Sequence, residues 1–421
     1  MLSNICYFFF TVIDGIFIGR GVGTDALGAV NIVMPYVMLS AAVFQLVSIG
    51  GATICAVDIG RGEKEKAQHI FRSSVVFLFI VAAILCFAGV VFTEPICRAF
   101  GADDTYISMS SDYLFWYAAF IIPSGLSLCI QAFCRNDDDP SLVGAAVLIS
   151  TGMNIFGDWL FVLPLGMGTK GAALATGISE TAGLLITLLH FVRKKGILRF
   201  GKVKLDPKTF KDIAAHGLPE GVSQLATPVM TLCMNLVLVH RIGDIGVNTF
   251  SIISYVSSFT IAVFFGTSEG LQPLFGLTYG MKDEKNLKYI FRAGIIVNFA
   301  GSFIVTSLIL LFDRQICGLF AADPETLEYT LSALPKFSWG FVIMAFTVMI
   351  SAYLYSTERL KYALILNVLR SVVVDVLIIT ILPYIFGAGI IWYTFGIYES
   401  IVFVIAVFLL KRSERNGIKF K

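Results

Sequence analysis

The sequence predicts an all-α integral membrane protein with twelve transmembrane helices in two pseudo-symmetric six-helix bundles, and three observations predict it. First, 57% of the 421 residues are AVILMFWYC, 14% are charged, and the mean hydropathy is +0.83. A soluble chain of this length carries nearer a quarter of charged residues, needed to cover its surface. Second, twelve apolar runs approach or exceed the roughly 20 residues that a helix needs to cross the hydrocarbon layer. Third, residues 60–72, GRGEKEKAQHIFR, recur as GMKDEKNLKYIFR at 280–292, an offset of 220. The same offset carries Ile96-Cys97-x-x-Phe100-x-Ala102-Asp103 onto Ile316-Cys317-x-x-Phe320-x-Ala322-Asp323. An even number of spans in each half makes the repeats parallel, an arrangement that places a substrate cavity between them. A net charge of +2 leaves no basic excess for phosphates, which excludes a nucleic-acid binder.

The elements follow in order. The run at 2–19 has no basic leader and holds Asp14, so it reads as the first span and not as a cleaved signal. The runs at 26–52 and 71–92 flank the charged loop 61–72, and Pro35 is expected to bend the former. Pro123 does the same in 113–134; Asn154 and Asp158 lie in 141–163, and Thr176 and Glu180 in 171–192. The second half runs 214–240, 247–278 with Glu269, Gln272 and Pro273, 290–312, 329–355, 361–382 with Arg370 and Asp375, and 388–410 with Glu399. The expected divisions are a bundle over 1–195, a cytoplasmic linker over 196–212, a second bundle over 213–410 and a tail over 411–421. Alternate loops and the tail hold 24 of the 31 Lys and Arg residues and the opposite loops six, which places both termini in the cytoplasm. The basic stretch 193–211 reads as a solvated linker near anionic lipid. None of the eight cysteines forms a C-x-x-C pair or clusters with a histidine, so zinc and haem readings have no support.

Ionisable groups inside spans are costly and mark pathways. The first half holds Asp14, Asp158 and Glu180, with no Lys or Arg at comparable depth. Counted from the outer helix ends, Asp14, Asp158 and Thr176 lie roughly 8–9 Å deep at 1.5 Å per residue. Asn154 and Asp158 are four residues apart and share a face, as do Thr176 and Glu180. The oxygens of Asp14, Asn154, Asp158 and Thr176 suit a hard cation such as Na⁺, and with Glu180 they suit a proton relay. The competing reading is that these groups only join helices. In the second half Arg370 offers a partner to Glu269, Asp375 or Glu399. Glu269, Gln272, Arg370 and Asp375 are the candidate substrate-cavity residues, and some of the 37 Phe and 11 Met side chains are expected to line a greasy cavity. Glu220, after Gly217-Leu218-Pro219, suits a helix N-terminus.

At these residues the chain resembles the multidrug and toxic compound extrusion (MATE) transporters. The matching segments are Asp14-Gly-Ile-Phe-Ile-Gly-Arg20 followed by Gly23-Thr24, Asn154-x-x-x-Asp158, and Gly171-Ala-Ala-Leu-Ala-Thr176. The loop Arg135-Asn136-Asp137-x-x-Pro140 is similar to the MepA-like branch. The resemblance implies a two-lobed antiporter of a prokaryotic inner membrane that expels cationic or amphipathic compounds in exchange for H⁺ or Na⁺. It implies no cofactor beyond the coupling ion, drugs and lipid as partners, and a monomer. It also implies that Asp14, Asn154, Asp158 and Thr176 form the cation network of the first lobe. Three departures stand out. The chain has only 13 residues before Asp14; Phe10 stands where some relatives carry tyrosine; and Thr227-Pro-Val-Met-Thr231 replaces a segment that carries a glutamate in others.

The expected mechanism follows: an external cation neutralises Asp14 and Asp158, drug is released, and the inward-facing state delivers the ion to the cytoplasm. The alternative is a lipid-linked oligosaccharide flippase of the same superfamily. A diphosphate would call for several basic residues at membrane depth, where Arg370 is the sole candidate. A membrane enzyme would show H-E-x-x-H or G-x-S-x-G, and neither is present.

Overall fold

A computed structural model describes residues 17, 22–318 and 324–415; the expected span 2–19, Asp14 included, lies outside them but for residue 17. Long apolar segments become helices in lipid because every backbone N–H and C=O must be satisfied within the segment. The helices are α1 (Thr24–Gly60), α2 (Lys64–Val91), α3 (Thr93–Ala99), α4 (Ile107–Ala119), α5 (Ile121–Asn136), α6 (Pro140–Val162), α7 (Gly168–Val192) and α8 (Pro207–Ser223). They continue as α9 (Ala226–Arg241), α10 (Asp244–Gly280), α11 (Glu284–Leu311), α12 (Asp313–Gly318), α13 (Pro324–Ser356), α14 (Leu360–Val368), α15 (Asp375–Phe386) and α16 (Ile391–Arg415). A π-turn, Leu369–Val374, joins α14 to α15. No strand occurs among the described residues. Among the described residues ten helical stretches, α8 running on into α9 and α14 into α15, are long and apolar enough to cross a membrane, or eleven with α4 and α5 taken as one span bent by 49°. These eleven match the expected runs from 26–52 onward. The bend falls at Phe120, three residues before Pro123.

The chain forms two compact units, one ending at Gly217 and one beginning at Leu218. In the first, Phe71 is fully buried, edge-on to Phe133 at 5.1 Å and stacked on Phe191 at 5.2 Å. In the second, α13 is the central helix, and Phe337 stacks on Phe395 at 4.5 Å. Outward residues stay apolar: Phe87 is 62% exposed and Val404 68%, as suits side chains facing acyl tails.

The 220-residue offset extends well beyond the two loops that reveal it. Helices α1 and α10 are both 37 residues long and start at Thr24 and Asp244. Helices α2 and α11 are both 28 residues long and start at Lys64 and Glu284, and α6 and α14 start at Pro140 and Leu360. Left-handed turn residues recur in the same register: Gly23 with Gly243, Gly62 with Lys282, and Asp138 with Glu358.

Within the first unit, α1 and the part of α8 up to Gly217 cross at van der Waals distance. A Cβ on Gly217 would stand 1.7 Å from the Leu46 carbonyl oxygen, and one on Gly50 would stand 2.2 Å from that of Ile213. Small residues permit such backbone approach in membranes. Gly217→Ala is expected to destabilise the protein by about 1–3 kcal/mol through overpacking. Thermal unfolding in detergent checks this, with Gly270→Ala, where a Cβ meets open space, as the neutral control.

Candidate functional site

Helices α6 and α7 form a hairpin and pack so closely that a Cβ on Gly157 would lie 3.0 Å from the Cβ of Ala175. At that contact Asn154 is 1% exposed and Asp158 0%, one helical turn apart. Asn154 Nδ2 donates to Thr176 Oγ1 across the hairpin at 3.3 Å. Asn154 Oδ1 is buried with no hydrogen-bond partner among the described residues. The structure therefore joins Asn154 to Thr176 and places Asp158 on the same buried face. Glu180 lies one turn further along α7, half-buried beside the Ser124 hydroxyl of α5. Asp14 lies outside the described residues.

In the second unit Arg370 Nε donates to Glu399 Oε1 at 2.9 Å, and both side chains are sealed from solvent and lipid. Of the three acids offered to Arg370, the structure pairs it with Glu399. Asp375 is 1% exposed, and its Oδ1 accepts the Val376 amide at 2.8 Å. Gln272 Nε2 donates to the Tyr355 hydroxyl, and Gln224 Nε2 donates to Glu220 Oε1 at 3.0 Å. Glu269 is half-buried on α10. At the C-terminal end of α1, Asp58 faces Arg61 at 3.8 Å.

One constellation escaped the sequence. His190, fully buried in the last turn of α7, sets Nε2 2.8 Å from Asp137 Oδ2 and Nδ1 3.1 Å from Asp139 Oδ2. Carboxylates accept and do not donate, so the arrangement suits a ring that donates from both nitrogens. Asp137 also accepts the amides of Ile197 at 2.7 Å and Leu198 at 2.9 Å, and Lys195 Nζ donates to Asp139 at 2.8 Å. From α2, Gln68 donates to the Ile197 carbonyl and Arg72 to that of Arg199. Gly196 sits at φ +69°, where a Cβ would strike the Asp137 carboxylate at 2.2 Å. The first part of the basic stretch is thus a strap fastened to its own unit, with Leu198 fully buried, and not a solvated tether. The available signal was two aspartates just before a span, with a lone histidine at the end of the next.

Burial opposes the Asp139 charge, but hydrogen bonds from Lys195 and His190, with the Lys195 ammonium close by, outweigh it and hold the carboxyl below the ordinary range. A depressed folded value stabilises above the unfolded one and loses that contribution as pH falls through the folded value. The stability difference between the wild type and Asp139→Asn, read by thermal unfolding in detergent, is therefore expected to stay constant down to about pH 4 and to shrink only below it.

An all-helical, duplicated chain that buries carboxylates inside its spans belongs to the class of multi-pass membrane transporters. The comparisons give the family: the MatE sequence profile matches residues 1–160 and 219–381, and the chain belongs to that family, whose members are transporters and not enzymes. It is 23% identical over 382 residues to the probable multidrug resistance protein YoeA of Bacillus subtilis, covering 87% of this chain and 81% of that one. It is 22% identical over 399 residues to the multidrug export protein MepA of Staphylococcus aureus, covering 93% and 87%. Among solved structures, it superposes with a TM-score of 0.93 on an outward-facing multidrug resistance MATE family transporter of the MOP superfamily, at 23% identity, over 100% of this chain and 95% of that one. A MOP superfamily transporter from Pyrococcus furiosus gives 0.92 at 23% identity, over 100% and 94%. These likenesses show the fold.

Proposed function

We propose that this protein is a cation-coupled multidrug efflux antiporter, exporting cationic or amphipathic small molecules against inward H⁺ or Na⁺ by alternating access. The observation that carries the reading is the sealed polar group on the α6–α7 hairpin. Asp158 and Asn154 share a buried face, Thr176 hydrogen-bonds Asn154, and Asn154 Oδ1 has no hydrogen-bond partner among the described residues. A buried carboxylate beside amide and hydroxyl oxygens is a receptor for a proton or a hard cation. Asp14 is assigned the coupling switch, Asp158 with Asn154 and Thr176 the ion cage, and Glu180 a supporting role. The names of the relatives, multidrug export and multidrug resistance proteins, support the substrate class. Glu269 and Gln272, half-buried on α10, are assigned to the substrate cavity, whereas Arg370 and Asp375 are sealed at 5% and 1% exposure. The paired Arg370 weighs against the flippase alternative, since Glu399 already holds the charge a diphosphate would need.

The test is ethidium efflux from proteoliposomes under independently imposed pH and sodium gradients. Asp158→Asn is expected to lower ion-driven efflux at least about tenfold, the effect of removing about 1.4 kcal/mol or more of coupling. Near-normal efflux by Asp14→Asn and Asp158→Asn together would remove the assignment.

A further inference from the structure

The second unit holds a charge imbalance that its ion pair leaves unresolved. Arg370 pairs with one oxygen of Glu399, yet the buried Asp375 lies within electrostatic reach of both. Three groups thus bring two negative charges and one positive into a region sealed at 5%, 0% and 1% exposure. Glu399 Oε2 is moreover buried with no hydrogen-bond partner among the described residues. The other titratable groups facing Asp375 are the Tyr398 hydroxyl from α16 and the Cys233 thiol from α9, and neither brings a positive charge. One further positive charge is needed, and a proton supplies it without requiring a cavity.

The backbone explains how the group comes together. Residues five apart on a regular α-helix lie roughly 140° apart around its axis, which would turn Asp375 away from Arg370. The Leu369–Val374 π-turn hydrogen-bonds five residues on and brings the fifth residue back over the first. Its residues Arg370, Ser371 and Val374 are all buried, as is Asp375 directly after it. Irregular turns of this kind inside helices gather at functional sites.

We infer that Arg370, Asp375 and Glu399, assembled by the π-turn, form a second exchangeable proton site, with Asp375 carrying a proton that leaves when substrate binds. The inference rests on the antiporter reading but uses residues separate from the α6–α7 hairpin. When substrate arrives, the Asp375 O–H bond breaks, its electron pair stays on the carboxylate, and the proton passes to bulk water. Arg370 remains paired with Glu399 throughout.

The experiment measures proton release, with a pH indicator in weakly buffered sodium-free solution, when tetraphenylphosphonium is added to the detergent-solubilised full chain. Asp375→Asn keeps the ion pair and is expected to release about one proton fewer per bound cation than the wild type. Release equal to the wild type overturns the inference. Should Asp375→Asn fail to elute as a single species, dicyclohexylcarbodiimide, which modifies protonated buried carboxyls, gives the answer on unmutated protein. An adduct at Asp375, suppressed by alkaline pH and by tetraphenylphosphonium, is expected; its absence at every pH overturns the inference. Failure of the antiporter reading looks different: the wild type would then release nothing on adding the cation, while the carbodiimide titration would still report on Asp375.

Discussion

Arg370→Met is expected to destabilise the protein by about 3–5 kcal/mol, because it strips a buried carboxylate of its charged donor while leaving the carboxylate in place. Glu399 is 0% exposed and cannot swing to water, and its second oxygen already has no hydrogen-bond partner among the described residues. The double variant Arg370→Met, Glu399→Leu removes the charge with its partner, and apolar replacements of a buried pair are often neutral. The double variant is therefore expected to recover most of the loss. Thermal unfolding of the two single variants and the double gives the coupling between the sites. Equal losses in the single and the double would mean that the pair contributes nothing as a pair.

The second large effect is expected from Asp137→Ala. That carboxylate accepts hydrogen bonds from two backbone amides of the strap, Ile197 part-buried and Leu198 buried, and is paired with a ring nitrogen of the buried His190. Each donor left buried and unsatisfied costs about 1–3 kcal/mol. Two released amides and a released imidazole are therefore expected to detach the strap locally before the helices are disturbed. The measurement is limited trypsin digestion in detergent, read at Lys194 and Lys195. Cleavage there is expected to quicken at least about tenfold, the effect of roughly 1.4 kcal/mol of local opening. Wild-type protection in Asp137→Ala would show that the aromatic packing of Phe71, Phe191 and Phe200 holds the strap alone.

The spans were legible because lipid imposes a length and an apolar composition that a linear reading detects, and the eleven described spans fall on runs read from the sequence. The duplication was legible in two loops, but its extent through the helices was not, since apolar faces tolerate any of several residues and preserve no spelling. Asn154 and Asp158 were legible as a pair, because four residues is one helical turn. Other features needed the third dimension. Leu-Arg-Ser-Val-Val-Val carries no mark of a π-turn, so the meeting of Arg370 with Asp375 was not deducible from helical spacing. The strap was misread as solvated because lysine and arginine dominate 193–211, while its anchors, Asp137 and Asp139, lie more than fifty residues earlier. A lone histidine at the end of an apolar run gives no hint that two carboxylates close over it.

The unbroken offset of 220 also supplies a built-in reference frame for asking which residue broke the likeness of the two halves. Ser179-Glu180 in α7 corresponds to Glu399-Ser400 in α16: the same two letters, transposed. A shift of one position turns a side chain by roughly 100° about the helix axis. One acid consequently points where an arginine meets it, and its counterpart stands beside a serine. Exchanging the order of those letters in either helix would ask, with no change in composition, how far a single rotation separates a fixed ion pair from a carboxylate left available to visitors.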